Sequence, residues 1–319
     1  MKHRTMLQMS ILVALGLGVL FSLVAFDQPG RQDTELLEVS VIIREADSTG
    51  WSAARQGMEQ AAADLGAELR FLTLSQSNSA EEQRSLLARE VEGGADAVVL
   101  VPADPADLAD AVKAAASHAA VVTMESDMAD SGAKACISVD NAALGQALGL
   151  AALNGVPEGG EAVLVDSAPG SAGVSRRLTE AARVLEEAGR SVYLCTLSGG
   201  RSLAETLNAT LQARRPDAVV AFEPSALEQA AQLAQGQEKP PLVYGTGATS
   251  TIASYLERSS ITLSAAQNEF AAGYLAVEAA VRSARGQDQA AIAPLDFSLI
   301  RQENMYDPDN QKLLFPVTR

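Results

Sequence analysis

Two successive doubly wound α/β units are the fold class that this sequence predicts, and three observations predict it. Short apolar runs without inward–outward alternation recur along the chain, helical patterns separate them, and the same rhythm starts again near residue 161. Unalternating strands separated by helices imply parallel sheets covered on both faces. The chain has 319 residues, 47% of them hydrophobic, which suffices for two domains of ordinary size with a core each.

In the first unit the strand candidates are 38–43 (EVSVII), 68–74 (ELRFLTL), 96–101 (DAVVLV) and 120–124 (AVVTM), with helices over 51–65, 79–92 and 105–118. Ser79 and Glu82 have the spacing of a capping box, in which the hydroxyl and the carboxylate each satisfy a free helix N–H. Asp104-Pro105 places a capping carboxylate before a proline whose missing N–H costs nothing at the first helical position. The second unit has strands at 161–166 (EAVLVD), 191–196 (SVYLCT), 217–222 (DAVVAF) and 241–244 (PLVY). Its helices fall at 171–188, 202–214, 225–236 and 248–257, the second opened by Ser202-x-x-Glu205.

Ligands of open α/β sheets bind beyond the carboxyl ends of the strands, and two facing units make a cleft. The informative residues are therefore those just past each strand. After 38–43 comes READSTGW, where Ser48 is polar and Trp51, the one tryptophan, opens a helix. An indole there either stacks on a sugar face or a cation, or packs at the rim of the core. Glu125 and Ser126 come after the fourth strand, and the loop DSAPGSAGVS (166–175) leads into Arg176 and Arg177. Glu223, Thr246 and Gln267 end the later strands. This is hydrogen-bonding equipment for a small polar ligand.

Nothing in the chain suggests catalysis. His3 and His118 are the two histidines, and His118 sits in an Ala-rich helical pattern with no nucleophile–acid partner. Gly170-Ser-Ala-Gly173 lacks the phosphate-loop arrangement, and no metal spacing occurs, so neither a cofactor nor a metal is expected. Cys136 and Cys195 are far apart and are expected to be buried free thiols. The formal charge of −16 excludes a nucleic-acid partner, which would need Lys and Arg to displace counterions.

Lys2, His3 and Arg4 precede an uncharged run from Met6 to Phe26. A helix of that length crosses a hydrocarbon layer of about 30 Å, and the basic residues before it orient the rest of the chain outside the cytoplasm. A cleaved signal peptide is the alternative, but its apolar part is usually about 7–15 residues. Cleavage after Ala25 would also put Leu23 at the −3 position. An uncleaved anchor over 1–26 and a linker over 27–37 are the expectation.

The order of these motifs resembles the type I periplasmic binding proteins, the ribose-binding group in particular, over about residues 38–300. The pieces are Trp51 with Gly57-Met58 after it, then GADAVVLVPAD, VVTMESD, ISVDN (137–141) and AQNEFAAGYLAVEAA (266–280). The resemblance implies two lobes joined by a multi-strand hinge: 38–140 with 268–295, and 141–267 with 296–319. It also implies ligand contacts. Trp51 stands where the group has a stacking aromatic and Ser48 where it has a polar loop residue. Glu125 stands for an aspartate, Glu223 for an asparagine, and Gln267 matches a ligand amide. Ser126 and Ser175 stand where sugar binders have Arg, and Thr246 where they have Asp. Arg176 is one residue beyond the lost arginine, and Arg177 matches a more structural one. A common pentose is thereby put in question, and a polyol, a sugar derivative or a cation stays open.

The expected function is extracytoplasmic capture of a sugar-like ligand by a monomer that serves an ABC-type importer's permease. The alternative is a membrane-anchored sensor that hands its closed state to a histidine kinase or chemoreceptor. A transcriptional regulator of this fold would carry a basic helix-turn-helix where this chain has an apolar run.

Overall fold

The computed structural model describes residues 36–197, 201–287 and 292–315. The chain divides into Met1–Leu36 and Leu37–Arg319, and the expected anchor and nearly all of the linker lie outside the described residues. No helix among the described residues is long and apolar enough to cross a membrane.

The first sheet is built from β1 (Leu37–Ile42), α1 (Ser52–Leu65), β2 (Ala67–Leu72), α2 (Ala80–Glu92), β3 (Ala97–Leu100), α3 (Pro105–Ala115), β4 (Ala120–Met124) and β5 (Ala135–Ile137). Its order is β2-β1-β3-β4-β5, with every pair parallel. Val39, Val41 and Val99 share a core with Met58 of α1, while Ile42, Val98 and Val121 share another with Leu87 and Leu108 of α2 and α3. Both faces are thus covered, as continuous apolar runs require. Each such side chain contributes roughly 1.5–3 kcal/mol on burial.

The second sheet continues the chain as α4 (Asn141–Leu153), β6 (Glu161–Asp166), α5 (Ala172–Glu187), β7 (Ser191–Thr196), α6 (Leu203–Arg214), β8 (Ala218–Ala221), α7 (Pro224–Ala234), β9 (Leu242–Thr246), α8 (Ser250–Glu257) and β10 (Leu263–Gln267). The chain then forms α9 (Glu269–Ala284), β11 (Phe297–Ile300) and α10 (Pro308–Leu314). The order is β11-β10-β9-β8-β6-β7, parallel except for β11, which runs antiparallel to β10.

Three segments join the sheets. Residues 138–140 lead from β5 into α4, which packs on α5 and the second sheet. Asn268 leads from β10 back to α9, which covers the first sheet beside α1. The chain then returns to β11, with Val139 and Leu295 bridged in parallel and Leu295 N–H donating to the Ser138 carbonyl at 2.9 Å. The α1–α9 approach is close enough that a Cβ on Gly57 would lie 1.9 Å from the Phe270 oxygen. One on Gly273 would lie 1.9 Å from the Ala54 oxygen.

Several local expectations need correction. Ser79 caps α2 by accepting from Glu82 N–H at 3.2 Å, but the Glu82 carboxylate turns instead to Ser75 N–H at 2.7 Å, so only half of the box forms. The box at Ser202 and Glu205 is complete, and Asp104 accepts from Ala106 N–H at 2.9 Å. Helix α3 ends at Ala115, which leaves His118 exposed in the next turn rather than inside a helix. β2 and β7 are edge strands, so most of their side chains are exposed or only partly buried. Cys195 is buried, whereas Cys136 is partly exposed.

Candidate functional site

Arg44 lies two residues past β1 and is 2% exposed. Its Nη2 is 2.9 Å from Glu125 Oε2 and 2.5 Å from Glu223 Oε1, and its Nη1 is 3.2 Å from Glu45 Oε1. Glu125 comes just after β4 and Glu223 just after β8, so one guanidinium ties together strand ends of both sheets. Asn78 Oδ1 accepts from Arg44 Nη1 at 3.3 Å, and Asn78 Nδ2 donates to the Ser167 carbonyl at 3.2 Å. Ser167 in turn donates to Glu223 Oε2.

Charge and burial oppose each other throughout this cluster. Burial works against the Arg44 cation, and Glu223, Glu45 and Glu125 more than offset it, so its pKa lies above the ordinary guanidinium value. Burial likewise opposes ionisation of Glu125, but Arg44 and Arg177 outweigh it and hold that carboxyl below the usual glutamate value. Glu45 is pushed up to about 7, first by burial, then by the charges of Glu125 and Glu223 acting against Arg44. Glu269, at the start of α9, is also pushed up to about 7, mainly by burial.

Glu125 adopts a left-handed backbone with φ 63°. A non-glycine residue in that region costs on the order of 1 kcal/mol and persists where its surroundings hold it. Here Asn141 Nδ2 donates to its carbonyl at 2.9 Å, and its own N–H donates to the Ile137 carbonyl at 3.1 Å. The strain sits at the residue whose carboxylate reaches Arg44.

The loop 166–173 lies directly on strand ends of the first sheet. A Cβ on Gly170 would stand 2.8 Å from the Ala103 oxygen, and one on Gly173 2.5 Å from the Glu125 oxygen. These glycines permit close backbone approach between the two halves. Ser126, 2% exposed, accepts from Gly173 N–H at 3.0 Å, so its hydroxyl helps to hold this junction.

Among the described residues, four buried side-chain N or O atoms have no hydrogen-bond partner. Three belong to strand ends: Arg44 Nε, Thr246 Oγ1 and Gln267 Oε1. Buried polar atoms are nearly always paired, and leaving one unmet costs about 1–3 kcal/mol. Gln267 Nε2 is engaged with Glu269 Oε1 at 3.0 Å. Trp51 packs partly against the core of the first sheet while its Nε1 donates to Glu45 Oε2 at 3.0 Å, so the indole joins core and cluster. Ser48 contacts Trp51 through its carbonyl, at 2.9 Å from the Trp51 N–H, and takes no part in the ionic cluster.

Two further expected residues stay outside the cluster. Ser175 and Arg176 are exposed, and Arg176 pairs with Glu180 at 3.3 Å. Helical rotation turns Val174, Arg177 and Leu178 inward and leaves 175 and 176 outside. Arg177 instead reaches Asn141 Oδ1 at 2.6 Å and the Phe222 carbonyl at 3.0 Å. The guanidinium of the cluster comes from Arg44 beyond β1, which sequence reasoning misses together with Glu45, Asn78, Ser167 and Glu269. For Arg44 a signal exists: a basic residue directly after a buried apolar strand.

A family model for the periplasmic binding protein domain matches residues 39–288. The chain belongs to this family. It is accordingly a binding protein and not an enzyme. Among solved structures, a carbohydrate transporter solute-binding protein from Agrobacterium radiobacter in complex with D-arabinose is 20% identical. That similarity covers 88% of this chain and 99% of that one, with a TM-score of 0.78. GanP, a glucose-galactose binding protein from Geobacillus stearothermophilus, is 18% identical over 85% of this chain and 99% of that one, with a TM-score of 0.75. A XylFII–LytSN complex contains a chain 17% identical over 84% of this one and 98% of its own length, with a TM-score of 0.75. At these identities the likeness is one of fold, the two-sheet type I periplasmic binding protein fold. No curated protein sequence matches the chain.

Proposed function

We propose that this periplasmic binding protein captures a small polyhydroxylated ligand, a sugar, polyol or sugar derivative, between two lobes and presents the closed form to an ABC-type importer. The lobes are residues 38–140 with 268–295 and 141–267 with 296–319, hinged on the three connecting segments. One observation carries the reading. Arg44 Nε, Thr246 Oγ1 and Gln267 Oε1 are buried without partners at the strand ends around a guanidinium–carboxylate cluster. Hydroxyl groups both donate and accept, so a polyol meets such a mixed set without bringing a counter-charge. Trp51 supplies the apolar face for a ring, and Glu45, Glu125 and Glu223 accept hydrogen bonds from its hydroxyls. The sugar complexes among similarly folded proteins support the same class of ligand.

A thermal-shift screen of the protein against sugars, polyols, amines and nucleosides tests this. A true ligand at 100 times its dissociation constant adds about 2.7 kcal/mol of stability. Stabilisation by nucleosides alone would contradict the assignment.

The uncharged run from Met6 to Phe26 is proposed to keep the protein on the outer face of the cytoplasmic membrane. Fractionation of cells that express the whole chain should find it with membranes; release into the soluble extracytoplasmic fraction would favour signal cleavage. A second reading, presentation of the closed form to a membrane sensor, is favoured by the anchor and by the similarly folded XylFII chain in complex with LytSN.

A further inference from the structure

The balance of donors and acceptors in the cleft is uneven. The carboxyls form an electrostatic chain, with Glu45 acted on by Glu125 and Glu223, Asp166 by Glu223 and Glu269 by Glu125, while Arg44 acts on Glu45, Glu125 and Glu223 and Arg177 on Glu125 and Glu269. Neither guanidinium is free to serve the rest. Arg44 is taken by three glutamates and Asn78, and Arg177 is held by Asn141 and the Phe222 carbonyl. The second oxygens, Glu125 Oε1 and Glu269 Oε2, accept no hydrogen bond among the described residues. Gln267 Oε1, two residues before Glu269, is a buried acceptor without a donor. On the donor side, the buried groups left over are Arg44 Nε and the Thr246 hydroxyl, Arg44 being 2% and Thr246 6% exposed.

Resting on the reading of the cleft as a site for a polyhydroxylated ligand, we propose that this ligand carries a protonated amine, as an amino sugar does. The amine is seated against Glu125 and Glu269 beside Gln267. An ammonium brings three donors and a positive charge to a place where acceptors and negative charge are in excess. The ligand's hydroxyls remain for Arg44 Nε and Thr246. A neutral sugar offers one donor per hydroxyl, whereas Glu125 Oε1, Glu269 Oε2 and Gln267 Oε1 together call for three. Burial, and to a lesser extent the charge of Glu125, raises the Glu269 carboxyl to about 7 although it stands in the first turn of a helix, where the backbone dipole favours a carboxylate.

Titration calorimetry of the full-length protein at pH 7.5 with two matched pairs, D-glucosamine against D-glucose and D-galactosamine against D-galactose, tests the proposal. The expected result is at least tenfold tighter binding of an amino sugar than of its neutral partner. Glu269→Gln should shrink that ratio to about threefold or less, and Glu269→Asp, which keeps the charge, should restore much of it. Equal or tighter binding of the neutral partner overturns the proposal while leaving the polyhydroxylated-ligand reading intact. A ratio unchanged in Glu269→Gln overturns the placement against Glu269. Binding of neither member of either pair contradicts the underlying reading as well as the proposal.

Discussion

Arg44 Nη2 lies 2.5 Å from Glu223 Oε1, joining the end of β1 in one sheet to the end of β8 in the other. Asn78 on the Ser167 carbonyl and Gly173 on Ser126 also join strand ends of the two sheets. Removing one partner of a buried ion pair leaves an uncompensated charge and costs about 3–5 kcal/mol. Glu223→Gln, which also loosens the tie between halves, should lower the melting temperature. It should also raise the radius of gyration measured by small-angle scattering. An unchanged radius would mean that the pair does not hold the halves together.

The carboxyls set the pH dependence. Glu45 and Glu269 have folded pKa values raised from 4.5 to about 7. Between those values the folded state binds more protons than the unfolded one. Their stabilisation is therefore full below pH 4.5 and is lost as pH rises through 7. Glu125 has the opposite sign, its contribution fading as pH falls below the ordinary glutamate value. Stability should peak near pH 5 and decline toward pH 8 by on the order of a few kcal/mol after allowance for solvent around Glu45, seen as a falling melting temperature. Glu269→Gln should flatten the decline, and a stability that rises over that interval would contradict the assignment.

Trp51→Ala should weaken ligand binding at least tenfold, because the indole supplies apolar contact and fixes Glu45 through its N–H at 3.0 Å. Trp51→Phe, which keeps a ring but loses that donor, should fall between. Arg176→Ala should leave the dissociation constant within about twofold, since that side chain is 59% exposed and paired with Glu180 on the outside of α5. Titration calorimetry of the three variants distinguishes them, and a large loss in Arg176→Ala would restore that residue to the site.

The α1–α9 contact sets a separate test. Gly273→Ala would bring a Cβ to 1.9 Å from the Ala54 oxygen, against backbone that cannot swing aside. The expected cost is about 1–3 kcal/mol or more, seen as a lowered denaturation midpoint. An unaffected midpoint would mean that the two helices part easily.

Most of the fold is legible in the sequence because unalternating runs such as DAVVLV and DAVVAF leave few other interpretations. β5 is not separable from the crossing segment by pattern, since Ala135–Ile137 is only three residues long and gains its place by pairing with β4. The strand-end rule finds Glu125, Glu223, Thr246 and Gln267, all of which the structure places beside the cluster or leaves with an unmet polar atom. Ser175 and Arg176 come from family position rather than from this rule, and helical rotation leaves both exposed while it turns Arg177 inward. Arg44 stands directly after β1, within reach of that rule, but its role is set by Glu125 and Glu223 at the ends of β4 and β8, distant in sequence and brought to it only by the facing of the two sheets.

The most direct test of the binding site is the effect of its unpartnered buried groups on affinity. For whichever sugar, polyol or amino sugar stabilises the wild-type protein, titration calorimetry should show Thr246→Val and Gln267→Ala each losing at least tenfold. Both variants should retain the wild-type circular dichroism spectrum. Affinity unchanged in both would contradict the placement of the ligand at these strand ends.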